Sequence, residues 1–533
     1  MLTHLETSRI YFAPDSSGGI WILYEDYVLL SNRPKIQHVD AAGNKLLGPE
    51  GMFVMNDTLS FGYVHGLQPL PNGDVMAVYD RWGDDNGTNY LYGQRFQPDG
   101  QPLFDAPGAQ ITTDHTWDVY CGFTGSTNVC GDGSDGVWCV FKQAFTNHLY
   151  YGGLNGDGTQ KTNYVSIENI ASWYGAICED GEGGFFVITQ CSADNSYSPF
   201  CNHINASGSM LAPEEGVRIL YEYDIYFIGA VPDGEGGVIV QMDNYDTFCR
   251  YQKVSSDLSL PWGNDGLYYA GGTPRFSRKP AHISDNSFVF ASVDAGAYDN
   301  KIRFGWVSSD GTELVSYTGN VIEEGYLYKE HVQPHVVVIQ EGGEEYALML
   351  VHRLRDGEEY LTLHRISDDG TEDLWAANPP EITGGHPGIR FNTAIVNKLS
   401  DNTLSVVTPF DTSSTYGVRY LLYKYRTNGQ LVGVPESQLS TALPQNVEIL
   451  STYPNPFNGR VLISLHLPSA EPLTISVYDL LGQRMDMFTV QPSTSAAFQV
   501  SWNPGFNMAS GVYFLRAKQG DKHSRVVKTI LLR

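Results

Sequence analysis

Sixty Asp and Glu residues are spread along the 533-residue chain, many of them in Gly-rich turns. The segments GDGSDG (Gly131 to Gly136), RWGDDNG (Arg81 to Gly87) and NGDG (Asn155 to Gly158) bring carboxylates and carbonyls close together. That is the donor chemistry of a calcium loop. None follows the twelve-residue calcium pattern or ends in its Glu. Turn formation alone accounts for Asp beside Gly, so no cofactor is expected, and calcium is the one ion these turns suit. A glycosidase needs two carboxylates across a cleft, and nothing in the spacing nominates a pair. Arg218, Arg250, Arg275, Arg303, Arg353, Arg390 and Arg419 are dispersed and mark no anion site. No GxSxG, P-loop or dinucleotide fingerprint occurs. His331 and His335 flank Pro334 in a segment that reads as strand, where residues four apart lie about 13 Å apart and do not readily share an ion. No residue is therefore nominated as catalytic or metal-binding.

Two further residue sets carry chemistry. Tyr197, Tyr221, Tyr223, Tyr226, Tyr245, Tyr268, Tyr269, Tyr298, Tyr326 and Tyr328 lie between or beside apolar runs. Their rings suit sugars or protein partners, but packing between blades is the favoured reading. Seven Cys lie between Cys121 and Cys249, with no CxxC spacing. Cys121 with Cys130, and Cys191 with Cys201, bracket short loops and are the expected disulfides in an oxidising compartment. Cys139, inside VWCVF, is expected to be a buried apolar residue.

The elements that must position these residues repeat. PDGEGGVIVQMDN (Pro232 to Asn244) has counterparts from Pro14, Leu70, Gly131 and Glu179, and weaker ones from Ile283, Gln340 and Leu399. With Gly19, Gly73, Gly136, Gly184, Gly237, Asn286, Gly343 and Asn402 as landmarks, the mean spacing is about 55 residues, a propeller-like period. A second phrase is read after each first one, an alternating strand running into Asp-Gly or Asn-Gly, as in YLYGQRFQPDGQPLF from Tyr90. Those dipeptides supply the positive φ of a tight hairpin. Each unit thus reads as four short strands, the content of one blade. Eight separate domains of that size would each bury too little apolar surface. The fold expected for residues 1–443 is an all-β propeller of eight blades, or seven if a terminal unit is incomplete or exchanged to close the ring. The boundary is placed near Thr441 to Gln445.

Charge divides the chain in the same place. The net charge is −27; residues 446–533 carry eight Lys or Arg against five Asp or Glu, which leaves −30 on residues 1–445. Such a body repels nucleic acid and anionic membranes. No apolar run reaches the ~20 residues of a membrane-spanning helix. The first residues, MLTHLETSRIYFAP, lack a basic n-region followed by an apolar h-region and do not read as a signal peptide.

Residues 444–533 alternate as a small β-sandwich. Four motifs stand in order: YPNPFN (Tyr453 to Asn458), VYDLLGQR (Val477 to Arg484), SGVYFLR (Ser510 to Arg516) and KTILLR (Lys528 to Arg533). This segment resembles the type A C-terminal sorting domain of proteins exported by the type IX secretion system, and also the immunoglobulin-like domain of a flagellar hook-capping protein. The resemblance implies that Pro454, Asn455, Pro456, Tyr478, Asp479, Gly482, Gly511, Tyr513 and Lys528 form a recognition fold rather than a catalytic one. It implies the type IX machinery as partner, and delivery into the medium or onto the outer-membrane surface. It also implies a signal peptide, which the quoted start does not supply.

The expected function is a secreted or surface-attached propeller with a non-catalytic glycan-binding, protein-binding or adhesive role. A propeller enzyme such as a glycoside hydrolase or lyase is the alternative, and a structural envelope or filament subunit a third.

Overall fold

The computed structural model describes residues 10–532 apart from short segments, the longest being 82–89, 325–334, 384–394 and 428–446. The chain divides into two compact units, Met1–Gly433 and Val434–Arg533. The expected boundary, Thr441 to Gln445, lies outside the described residues. Among the described residues there is no helix long and apolar enough to cross a membrane.

The first unit is a propeller of eight antiparallel sheets in chain order, each built from consecutive strands. The first blade is Ile10–Pro14, Ile20–Val28, Ser31–Val39 and Met52–Phe53. The eighth is Ile395–Lys398, Leu404–Asp411 and Val418–Tyr425. First strands of successive blades touch one another, which places them innermost.

The Gly pair of the repeat phrase has a divided purpose. Gly236 has φ +85°, a conformation that only Gly adopts cheaply. At Gly237 the need is space: a Cβ there would meet Asp233 Oδ2 and the carbonyl of Val254, each at 2.5 Å. The turn is closed by Asp233, which accepts hydrogen bonds from the backbone N–H of Glu235 (2.8 Å) and Gly237 (2.7 Å). Asp15, Asp132 and Asp180 bond their own turns in the same pattern.

Alternation along each second strand sends side chains to the two neighbouring blades in turn. Trp21 and Leu23 pack with Val64, Val75 and Ala77 of the second blade, whereas Ile20, Ile22 and Tyr24 pack with Leu399 of the eighth. Eight such clusters, one per seam, occur among the described residues, and the seam between blades eight and one is among them. Among the described residues the ring therefore closes through eight blades, each sheet built from its own consecutive strands. Both faces of each sheet are buried, which accounts for continuous runs such as Phe185 to Ile188.

The second unit is a two-sheet sandwich. Glu448–Tyr453, Val461–Leu467 and Ala496–Trp502 form one sheet. Leu473–Tyr478, Arg484–Val490, Gly511–Gln519, Lys522–His523 and Val527–Leu531 form the other. Val461, Ile463, Leu465, Leu473, Ile475, Val477 and Leu515 fill the core between them.

Candidate functional site

The acids of the repeat turns come first, because they were the obvious chemistry in the sequence. Each meets a basic group carried by a strand further along its own blade. His38 Nε2 lies 2.7 Å from Asp15 Oδ2, Arg95 Nε donates to Asp74 at 2.7 Å, Lys161 Nζ to Asp132 at 2.5 Å, and His203 Nε2 lies 2.9 Å from Asp180. Lys253 Nζ lies 3.5 Å from Asp233 and 2.6 Å from Glu235, and Arg365 pairs with Glu341 at 2.6 Å.

Most of these groups also reach the next blade, at the carbonyl of the second residue in its outer turn. His38 Nδ1 lies 2.7 Å from Pro98 O and His203 Nδ1 2.7 Å from Ser256 O. Arg95 donates to Gly156 O, Lys253 to Ser309 O and Arg365 to Thr427 O, at 2.9, 3.3 and 3.0 Å. In the eighth blade Lys424 Nζ donates to Ala41 O (3.1 Å) and Gly18 O (2.5 Å) of the first.

These acids are therefore committed to holding blades together. Burial opposes ionisation of Asp132, but Lys161 and Ser134 outweigh it and hold the carboxyl below its usual range. The 155–158 turn is similar: Asp157 accepts from Thr159 N and Oγ1 at 2.9 and 2.6 Å. Of the 81–87 segment only Arg81 is described. Among the described residues no three His, Cys, Asp or Glu are grouped as a metal ion requires.

A buried pair, His65 and Asp80, lies in the second blade at its seam with the first, where Glu25 of the first blade bonds the same strand. His65 Nε2 is 3.3 Å from Asp80 Oδ2, and Glu25 Oε1 accepts from Val64 N at 3.1 Å. Side-chain exposure is 4% for His65 and 0% for Asp80. The imidazole and carboxylate are buried at the seam.

The position that differs between blades is the inner rim. Pro14, Pro69, Gly131 and Glu179 end the first strands of blades one to four. They line an open cavity of about 340 Å³ together with Gln68 and Ser134. A Cβ on Gly131 would meet Gln68 Nε2 at 2.9 Å and Glu179 Oε2 at 3.3 Å. The glycine thus lets an amide and a carboxylate from two different blades converge over its backbone. Nothing in the repeat phrase marks this pair, because it forms only when the blades close into a ring.

The other sequence candidates do not converge. Tyr221 and Tyr268 are 59% and 52% exposed and carry Arg218 and Arg250 over their rings at 5.0 and 4.5 Å. Tyr269 packs on Tyr251 and Phe290. The remaining tyrosines of that group, His331 and Arg390 lie outside the described residues, as do the side chains of Arg275, Arg353 and Arg419. Cys130 and Cys201 are free buried thiols, and the side chains of Cys121 and Cys191 are not among those described. Cys191 aligns with Ser198 while Cys201 aligns with Ile188; Cys121 aligns with Phe141 while Cys130 aligns with Trp138. Three residues of register hold each pair about 10 Å apart along the strands, beyond disulfide reach.

The tail motifs are brought together by backbone pairing. Asn455 accepts from Ile530 N at 2.8 Å and donates to Lys528 O at 3.1 Å. Phe457 and the last strand exchange two further bonds, Phe457 N to Ile530 O and Leu532 N to Phe457 O. Asp479 accepts from Leu481 N and Gln483 N around Gly482, whose φ is +78°. Tyr478 is half-buried in the strand that leads into that turn. Tyr513 is buried and donates to Ala509 O at 2.8 Å, and Gly511 opens its strand opposite Leu531. Pro454 and Pro456 lie outside the described residues.

Residues 451–532 match the family model of the secretion system C-terminal sorting domain. No curated protein matches the chain. Among solved structures, prolyl oligopeptidase B from Galerina marginata is similar at 10% identity and a TM-score of 0.40, over 76% of this chain and 56% of that one. An ulvan lyase of polysaccharide lyase family PL25 is similar at 10% identity and 0.38, over 73% and 96%. The β-propeller domain of the trilobed protease from Pyrococcus furiosus is similar at 10% and 0.34, over 68% and 93%. The tail is a sorting domain of the type IX kind, and it marks the chain as secreted or outer-membrane surface-attached cargo.

Proposed function

We propose that the propeller is an exported glycan-binding module and that the inner rim between Gln68 and Glu179 is its ligand site. The observation that carries this is the convergence of those two side chains over Gly131 in an open cavity of about 340 Å³. That volume is in the range of small-ligand sites and suits a sugar ring better than a flat protein surface. An amide and a carboxylate offer donors and acceptors to neighbouring hydroxyls. The charge of the body favours a neutral or amino sugar over an acidic one. The acids repeated in the blades bond their own turns and seams, which leaves the rim as the place where this chain differs from a generic ring.

The test is a glycan-binding screen of the whole chain, followed by titration of Glu179→Gln and Gly131→Val. Each substitution is expected to lower affinity about ten-fold or more, as loss of a charge-assisted bond does. Undiminished binding in both variants would contradict the site. Hydrolysis or elimination of the bound glycan would contradict the non-catalytic role.

A further inference from the structure

By register with the third strand, one residue of each second strand faces the next blade, and in seven blades it is apolar, with Val289 the smallest. Trp21, Trp138, Phe186 and Leu348 are four of these, each fully buried in its seam. By register the eighth blade has Ser405 there, opposite Lys424 as Leu348 is opposite Arg365. The missing bulk leaves a cavity of about 180 Å³ between the last blade and the first. Ile20, Ile22, Leu399 and Leu422 form its apolar wall. Ser405 also lines it, is 1% exposed, and its Oγ has no hydrogen-bond partner among the described residues. Such an orphan in a well-packed ring signals an absent partner, because a buried polar group is normally bonded.

The polar end carries charge. Lys424 and Lys45 line the cavity, and Asp40, also in the lining, is bonded by its own turn through Ala42 N and Asn44. Lys424 takes over a bond that an indole makes elsewhere: Trp138 Nε1 donates to Gly183 O, and Lys424 Nζ donates to the equivalent carbonyl, Gly18 O. The cavity is thus the outline of an aromatic side chain with a cation and a hydroxyl at its rim. An apolar cavity of about 150 Å³ is enough to hold benzene.

We propose that this closing seam binds a small aromatic or cyclic monocarboxylate. Its ring replaces the side chain that Ser405 lacks, and its carboxylate faces Lys424 and the Ser405 hydroxyl. Bound there, it fastens the last blade to the first.

The probe is 4-fluorobenzoate, followed by fluorine NMR against the full chain, with 4-fluorobenzylammonium as the cation of similar size. Saturable broadening of the benzoate alone is expected. Ser405→Leu, which copies the seventh blade, fills the cavity and should abolish it. Ser405→Ala keeps the space, loses the hydroxyl, and should weaken binding about five-fold. No saturable binding, binding retained in Ser405→Leu, or an equal response to the ammonium would overturn the proposal. Should Ser405→Leu fail to fold, undiminished affinity in Ser405→Ala overturns it.

Discussion

Lys424 in the last blade donates to the carbonyl of Ala41 in the first, the same joint that His203 makes with Ser256 four blades earlier in the ring. The ring is closed by the contact that also links its interior seams. Lys424→Met should therefore weaken the whole propeller, by about 1–3 kcal/mol for bonds made by a charged donor. A denaturant midpoint unchanged from the parent protein would show that the seam closes by other means.

The two glycines of the repeat phrase should respond differently. Gly236→Ala meets open space and suffers only its positive φ, a cost of about 1 kcal/mol. Gly237→Ala meets the Val254 carbonyl and the Asp233 carboxylate at 2.5 Å, and backbone cannot move aside cheaply. The second variant should be the less stable by calorimetry; the reverse order would refute the division of roles.

Burial lowers the affinity of His203 for a proton, but its bonds to Asp180 and the Ser256 carbonyl outweigh that and hold the imidazole above its usual value. Burial raises Asp180, but His203 and the N–H groups of Glu182 and Gly184 outweigh that and hold it below. Stabilisation from His203 is complete below about pH 6.5 and is lost as pH rises through the raised value. That from Asp180 is complete above about pH 4 and is lost as pH falls through the lowered one. The stability gap between the parent protein and His203→Gln should be widest between those limits. A gap as large at pH 8.5 as at pH 5.5 would contradict this.

Burial pushes the Cys139 thiol up to about 12 and those of Cys130 and Cys201 higher than usual. Thiolate is the reactive form, so none of the three should take iodoacetamide in the native protein. All three should label after denaturation without reductant, read by peptide mass. Labelling of Cys130 or Cys201 only after reduction would reinstate a disulfide.

The ring was legible in the sequence because its hairpin turns need a positive φ, supplied by Gly at most of them and by Leu258 and Asn286 at two, and the turn residues leave a period. The tail was legible because YPNPFN and KTILLR are fixed by the pairing of Asn455 with Ile530 and Lys528. The seam straps were not. Their types vary among His, Arg and Lys, and His203 stands 23 residues from Asp180 across a loop whose length differs between blades. The Gln68–Glu179 pair and the Ser405 cavity depend on register and ring closure, which no local pattern records. Cysteine spacing misleads for the same reason: ten residues separate Cys191 from Cys201 in the chain, while strand register decides their distance.

The most direct measurement is the location of the chain in a bacterium with a type IX system, with a signal peptide supplied and the last six residues, Lys528 to Arg533, present or deleted. Removing them strips the bonding partners of Asn455 and Phe457 from the sandwich. The full chain should appear at the outer surface or in the medium, and the truncated chain should remain in the periplasm. Equal export of both would contradict delivery by the tail and with it the account of an exported binding propeller.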